Sequence, residues 1–121
     1  MPKTILIADD SESIRELVEL TLQSAGYHVL KGVDGEDALT HLNGQAIDLV
    51  ITDLNMPKLD GISLIREIRK RSDYATLPVL LLTTESQAAK KEEAKAAGAT
   101  GWIVKPFVQE KLLAVVQKVI R

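Results

Sequence analysis

The chain has 121 residues, 15 Lys and Arg against 17 Asp and Glu, a formal net charge of −2, and no cysteine. At this length one domain, residues 1–121, buries most of its core without staples, and disulfides, thiolate chemistry and cysteine-ligated metals are excluded. The slight negative charge argues against a nucleic-acid or anionic-membrane surface, and no apolar run approaches the roughly 20 residues that span a bilayer. Met1 to Leu6 is too short for the apolar segment of a signal peptide, and Asp9-Asp10 follows at once, so a cytoplasmic protein is expected.

Short apolar strand patterns alternate with longer helical ones five times. Thr4 to Ala8 is the first strand and ends on Asp9-Asp10. Ser13-x-x-Glu16 then reads as a capping box, and Ile14, Leu17, Val18, Thr21, Leu22 and Ala25 form one helical face that Gly26 stops. Tyr27 to Lys31 alternates, as a strand at a sheet edge does, and a short helix holding Ala38, Leu39 and Leu42 lies between Asp34 and Gly44.

The third strand, Leu49-Val50-Ile51-Thr52-Asp53, is apolar until it meets a carboxylate. Such a run reads as a strand buried on both faces. Pro57 blocks its continuation, and Asp60-Gly61 turns the chain into a helix carrying Ile62, Leu64, Ile65 and Ile68. That helix ends in Arg69-Lys70-Arg71, cations that complement its dipole. Pro78 to Leu82 is a fourth strand, followed by Thr83-Thr84. From Glu85 to Thr100 no apolar residue exceeds alanine, a composition that favours helix but buries little area. Either this helix shifts as a unit or it simply packs close. Trp102 to Val104 is the fifth strand, ending at Lys105-Pro106, and Val108, Leu112, Val115, Val116 and Val119 mark the last helix. Repeated strand–helix units imply an α/β, doubly wound, five-stranded parallel sheet with five helices covering both faces.

In a parallel sheet the strand ends share one edge, where open α/β sheets bind ligands. Asp9, Asp10, Asp53, Thr83 and Lys105 therefore converge. Taken alone, Asp53 could be a turn residue receiving backbone N–H groups. Three carboxylates together, however, repel one another and demand a cation. Oxygen donors without His or Cys select a hard ion, most naturally Mg²⁺. A lysine and a threonine beside them suit a transferring phosphoryl group, with Asp53 as the acceptor, since carboxylates form aspartyl phosphates.

Taken jointly, Asp9-Asp10, Asp53, Met56-Pro57-x-x-Asp60-Gly61, Thr83 and Lys105-Pro106 resemble the receiver domains of two-component response regulators, over the whole chain. Gly101-Trp102-Ile103-Val104-Lys105-Pro106-Phe107 is most similar to the stand-alone chemotaxis (CheY-like) type. The resemblance implies a flavodoxin-like strand order 2-1-3-4-5 and a monomer. It implies that Asp53 takes phosphate from a CheA-like sensor histidine kinase, and that Asp10, Asp53 and the Asn55 backbone carbonyl ligate Mg²⁺ (or Mn²⁺), with Asp9 acting through water. It further implies Lys105 and Thr83 on phosphoryl oxygens, a cis Lys105–Pro106 bond, and an output partner such as a flagellar-motor switch protein. That partner would bind the face of the fourth helix, fifth strand and fifth helix, which carries Lys90, Lys91 and Lys111.

Several positions modulate that expectation. Thr84 is bulkier than the residue usual after the switch hydroxyl, and either narrows access to Asp53 or caps the fourth helix through Thr84-x-x-Gln87. Trp102 stands where Tyr or Phe is commoner and only donates a hydrogen bond, so it is either a switch aromatic or a core residue. By the same resemblance Asn55 and Glu85 flank the path of an attacking water, which implies a short-lived phosphoaspartate. His28 and His41 join no cluster. The competing enzyme class, a Mg²⁺-dependent haloacid-dehalogenase-like phosphatase, carries Asp-x-Asp after its first strand and usually a cap domain. A flavodoxin-like ligand binder would need a Gly/Ser/Thr-rich phosphate loop there, and a phosphate-independent pseudo-receiver would have lost an acid or the lysine. The chain has adjacent aspartates, no such loop, and all the acids and the lysine.

Overall fold

The computed structural model describes residues 2–84 and 88–120. Its strands are β1 (Thr4–Ala8), β2 (His28–Gly32), β3 (Leu49–Asp53), β4 (Val79–Thr83) and β5 (Gly101–Val104). Its helices are α1 (Glu12–Ser24), α2 (Gly35–Thr40), α3 (Gly61–Lys70), α4 (Ala88–Ala97) and α5 (Gln109–Val119), with a 3₁₀ turn at Ser72–Tyr74. The strands form one parallel sheet in the order β2-β1-β3-β4-β5. The alternating strand β2 does lie at an edge, and every residue of β3 and β4 is buried.

Side-chain alternation splits the core in two. Ile5, Ile7, Leu49, Ile51, Leu80, Leu82 and Ile103 pack with Val18 and Leu22 of α1 and Leu112 and Val116 of α5. Leu6, Ala8, Val50, Val79 and Leu81 pack on the other face with Ala38 of α2, Ile65 and Ile68 of α3 and Ala94 of α4. Each fully buried aliphatic side chain stabilises by about 1.5–3 kcal/mol relative to exposure. By that measure α4 is weakly held: Ala94 is its one buried residue among those described.

The helix ends follow local chemistry, with two corrections. α1 starts two residues before the expected box: Ser11, not Ser13, is the N-cap and accepts the Ile14 N–H at 3.4 Å. Ser11 is fixed there because its own N–H donates to Asp9 Oδ1 at 2.9 Å. The basic residues closing α3 reach other elements instead of serving only their own helix dipole. Arg69 donates to the carbonyls of Gly98 (2.7 Å) and Tyr74 (3.3 Å), and Arg71 to that of Leu42 (3.1 Å). Gly26 ends α1 as expected, at φ +93, with Tyr27 N–H on the Leu22 carbonyl and Gly26 N–H on that of Gln23. His28 is exposed, whereas His41 is half-buried and its Nε2 meets the Lys31 carbonyl of β2 at 3.0 Å.

Candidate functional site

The same alternation builds the site. Ile5, Ile7, Leu49, Ile51 and Ile103 all face α1 and α5. Continuing each strand by two residues puts Asp9, Asp53 and Lys105 on that side of the sheet's carboxyl edge. There Lys105 Nζ lies 3.1 Å from Asp9 Oδ2 and 3.4 Å from Asp53 Oδ1. Asp9 is 1% exposed and Asp53 8%, while Asp10 is exposed beside them. One carboxylate oxygen from each of Asp9, Asp10 and Asp53 lies within 4.8 Å of the other two.

Close packing fixes Asp53. Its Oδ1 accepts the Leu54 N–H at 2.9 Å, and Gly61 N–H closes the loop onto the Leu54 carbonyl at 2.8 Å. At Gly61 a Cβ would stand 2.4 Å from the Asp53 carbonyl, so only glycine lets α3 start this close to the strand end. Burial pushes the Asp53 carboxyl above its ordinary value and the Asp9 charge adds to this; Lys105 and the Leu54 N–H oppose it. Three carboxylates face one ammonium, the sole cation in ion-pair contact with the cluster among the described residues. An all-oxygen set left with excess negative charge fits a hard divalent cation.

Comparison with known proteins decides the family. The profile of the response regulator receiver domain matches residues 5–117. The chain belongs to the response regulator receiver domains. Among solved structures, chemotaxis protein CheY4 of Vibrio cholerae is 45% identical with a TM-score of 0.95, over 98% of this chain and 99% of that one. The receiver domain of a sensor histidine kinase from Pseudomonas aeruginosa, described with a magnesium ion coordinated in the active site cleft, is 30% identical with a TM-score of 0.91, over 99% of this chain and 98% of that one. Among curated proteins, a probable transcriptional regulator of Porphyridium aerugineum is 40% identical over 97% of this chain and 48% of its own length. An uncharacterized transcriptional regulatory protein of Bacillus subtilis is 41% identical over 94% and 48%. The chain thus spans about half the length of the curated relatives it matches.

In this receiver domain the remaining expected positions fall into two groups. Thr83 is fully buried and its carbonyl accepts the Lys105 N–H at 2.7 Å, tying the end of β4 to the lysine. By alternation with Val79 and Leu81 it lies on the α4 side, the side Trp102 also packs on. Asn55, Thr84 and Pro106 are exposed, and the Lys105–Pro106 bond is cis. Glu85 and Gln87 lie outside the described residues. Trp102 is half-buried with Lys91 Nζ 5.9 Å from its ring centroid, and its indole N–H is buried without a partner among the described residues.

Two contacts, one at the site and one in the loop after β3, escaped sequence reading. Arg15 Nη1 donates to the Asp9 carbonyl at 2.6 Å. Lys58, at φ +70 in the loop after β3, places its Nζ 3.8 Å from the buried Asp34 carboxylate. Arg15 lies in the first turn of α1, five residues past Asp10, and nothing in the sequence aims its guanidinium at the Asp9 carbonyl. For Lys58 nothing in the sequence pairs it with a residue 24 positions earlier.

Proposed function

We propose that this receiver domain accepts a phosphoryl group on Asp53 from the phosphohistidine of a CheA-like sensor histidine kinase, and that the change alters its affinity for a downstream partner. The observation that carries this reading is Lys105 Nζ standing between the buried carboxylates of Asp9 and Asp53 at the carboxyl edge of the sheet. Asp53 Oδ1 is occupied by Leu54 N–H and faces Lys105, so Oδ2 is the oxygen left to attack. A lone pair of Oδ2 forms the O–P bond as the P–N bond breaks, its electrons leaving with the imidazole nitrogen. Lys105 neutralises a phosphoryl oxygen, and the Thr83 hydroxyl donates to another.

Asp10, Asp53 and the Asn55 carbonyl would hold Mg²⁺, with Mn²⁺ as a substitute. Both Asp9 oxygens are engaged, by Ser11 N–H and Lys105, which supports Asp9 acting through water. When bound, the ion offsets the negative charge gathered on the carboxylates and phosphoryl oxygens. Asn55 and Glu85 guide the hydrolytic water, Thr84 limits access to Asp53, and Trp102 with the Lys105–Pro106 turn passes the change to α4, β5 and α5.

We further propose that residues 1–121 act as one cytoplasmic, monomeric signalling unit, not a turnover enzyme, and that the pathway is chemotaxis with a flagellar-motor switch protein as partner. Similarity to CheY4 along 99% of that chain supports this. The curated relatives favour a second reading, a receiver that controls transcription. Incubating the chain with acetyl phosphate and Mg²⁺ tests the shared chemistry by intact mass. One base-labile phosphoryl group is expected on the wild type and none on Asp53→Asn. Equal labelling of that variant overturns the assignment.

A further inference from the structure

Asp10 is the exposed member of the acid cluster and makes no side-chain hydrogen bond to a described residue, so its direction has to come from its backbone. On its N-terminal side that backbone is held through Asp9. The Asp9 N–H donates to the Gly32 carbonyl at 3.2 Å, Oδ1 accepts Ser11 N–H at 2.9 Å, and Oδ2 meets Lys105 at 3.1 Å. The last polar atom of Asp9, its carbonyl oxygen, accepts Arg15 Nη1 at 2.6 Å. The Asp9 carbonyl and the Asp10 N–H belong to one planar peptide unit. Whatever fixes the carbonyl therefore fixes the Asp10 N and Cα, the point from which the side chain leaves. Arg15 lies in the first turn of α1, whose start is set by the Arg15 N–H on the Ser11 carbonyl at 3.0 Å. The helix and the acid pair thus brace each other around a three-residue loop.

We propose that Arg15 is a positioning residue for the cation site: through the Asp9–Asp10 peptide it orients Asp10 for Mg²⁺. This rests on the proposed Mg²⁺ role of the cluster. Groups that orient metal ligands are worth about 10- to 100-fold in metal affinity. The opposite effect is also physically available, because a guanidinium close to the cluster repels a cation. The two effects have opposite signs, so one titration separates them.

The experiment is calorimetric titration of MgCl₂ into the full chain, with Arg15→Met, Arg15→Lys, Asp10→Asn and the surface control Arg66→Met alongside. Arg15→Met is expected to bind Mg²⁺ about tenfold more weakly, at the lower end of that range. Arg15→Lys, which keeps the charge and one donor, recovers part of the loss, and Arg66→Met matches the wild type. At saturating Mg²⁺ the Arg15→Met variant should take phosphate from acetyl phosphate at nearly the wild-type rate, since Asp53 and Lys105 are untouched. Unchanged or tighter Mg²⁺ binding by Arg15→Met overturns the proposal, as does a rate that stays low at saturation. If Arg15→Met does not fold, Arg15→Lys carries the test, and wild-type affinity in that variant overturns the proposal. Absence of Mg²⁺ binding by the wild type overturns the cation reading itself, whereas wild-type binding with an indifferent Arg15 overturns this proposal alone.

Discussion

At the scale of single residues, the buried charge of Asp53 carries a cost for the fold. Burial first, then the Asp9 charge, holds its carboxyl above the ordinary value of 3.8. The folded state therefore keeps that proton more tightly than the unfolded chain. Its contribution to stability is lost as pH rises from the unfolded value through the folded one. Asp53→Asn should accordingly melt higher than wild type at pH 7, with the gap closing near about pH 4, in parallel thermal melts. A variant that melts lower at pH 7 would mean that Lys105 outweighs burial. Lys105→Met removes the cation between two buried carboxylates and should destabilise by about 3 kcal/mol at pH 7 in a urea titration, with recovery on acidification. A loss that ignores pH would place the effect in packing alone. The acids and the lysine were legible in the sequence because a strand fixes which way its end points. Arg15 and Lys58 were not, because a long side chain finds its acceptor only after the helices are placed.

At the scale of elements, α4 is lightly held among the described residues. Ala94 supplies its buried contact, and Arg69 on α3 holds the turn after it through the Gly98 carbonyl. Gly98 adopts φ +112 there, and its Cα packs so closely on Arg69 that a Cβ would lie 2.7 Å from Nε. Arg69→Met should cost about 2–3 kcal/mol, from two hydrogen bonds donated by a charged group. Amide exchange should then quicken through 94–100 before the rest of the chain. Uniform acceleration would show that the clamp is not local. Periodicity located all five strands and five helices; β1 and β3 have the expected ends, and the ends of β2, β4 and β5 differ by at most one residue. The start of α1 was misplaced because Ser11 and Ser13 are both competent caps, and the choice is made by Asp9, whose side chain takes the Ser11 N–H. The Arg69-Lys70-Arg71 run looked like a dipole complement because sequence spacing cannot show that carbonyls of the turns after α2 and α4 lie within reach.

At the scale of the whole molecule, the two faces of the sheet divide the work. Asp9, Asp53 and Lys105 extend the α1–α5 side, while Thr83 and Trp102 belong to the α4 side. The Thr83 carbonyl accepts the Lys105 N–H, a bond that Thr83→Ala keeps, so that variant removes only the hydroxyl proposed to reach the phosphoryl group. Phosphorylation should displace α4, β5 and α5 as a group, because α4 is the least anchored helix. Partner affinity should differ between the two states by about 5- to 150-fold, the usual span of such coupling. Thr83→Ala should shrink that ratio with phosphate uptake largely intact, as read by amide exchange and titration with a partner peptide. Protection that changes only around Asp53 would remove α4 from the switch. The central claim, that the phosphoryl group sits on Asp53, is tested most directly by borohydride reduction of the acetyl phosphate-treated chain followed by peptide mapping. An aspartyl phosphate is reduced to homoserine, so homoserine at position 53 is the expected result; homoserine at position 9 or 10, or at none, would contradict it.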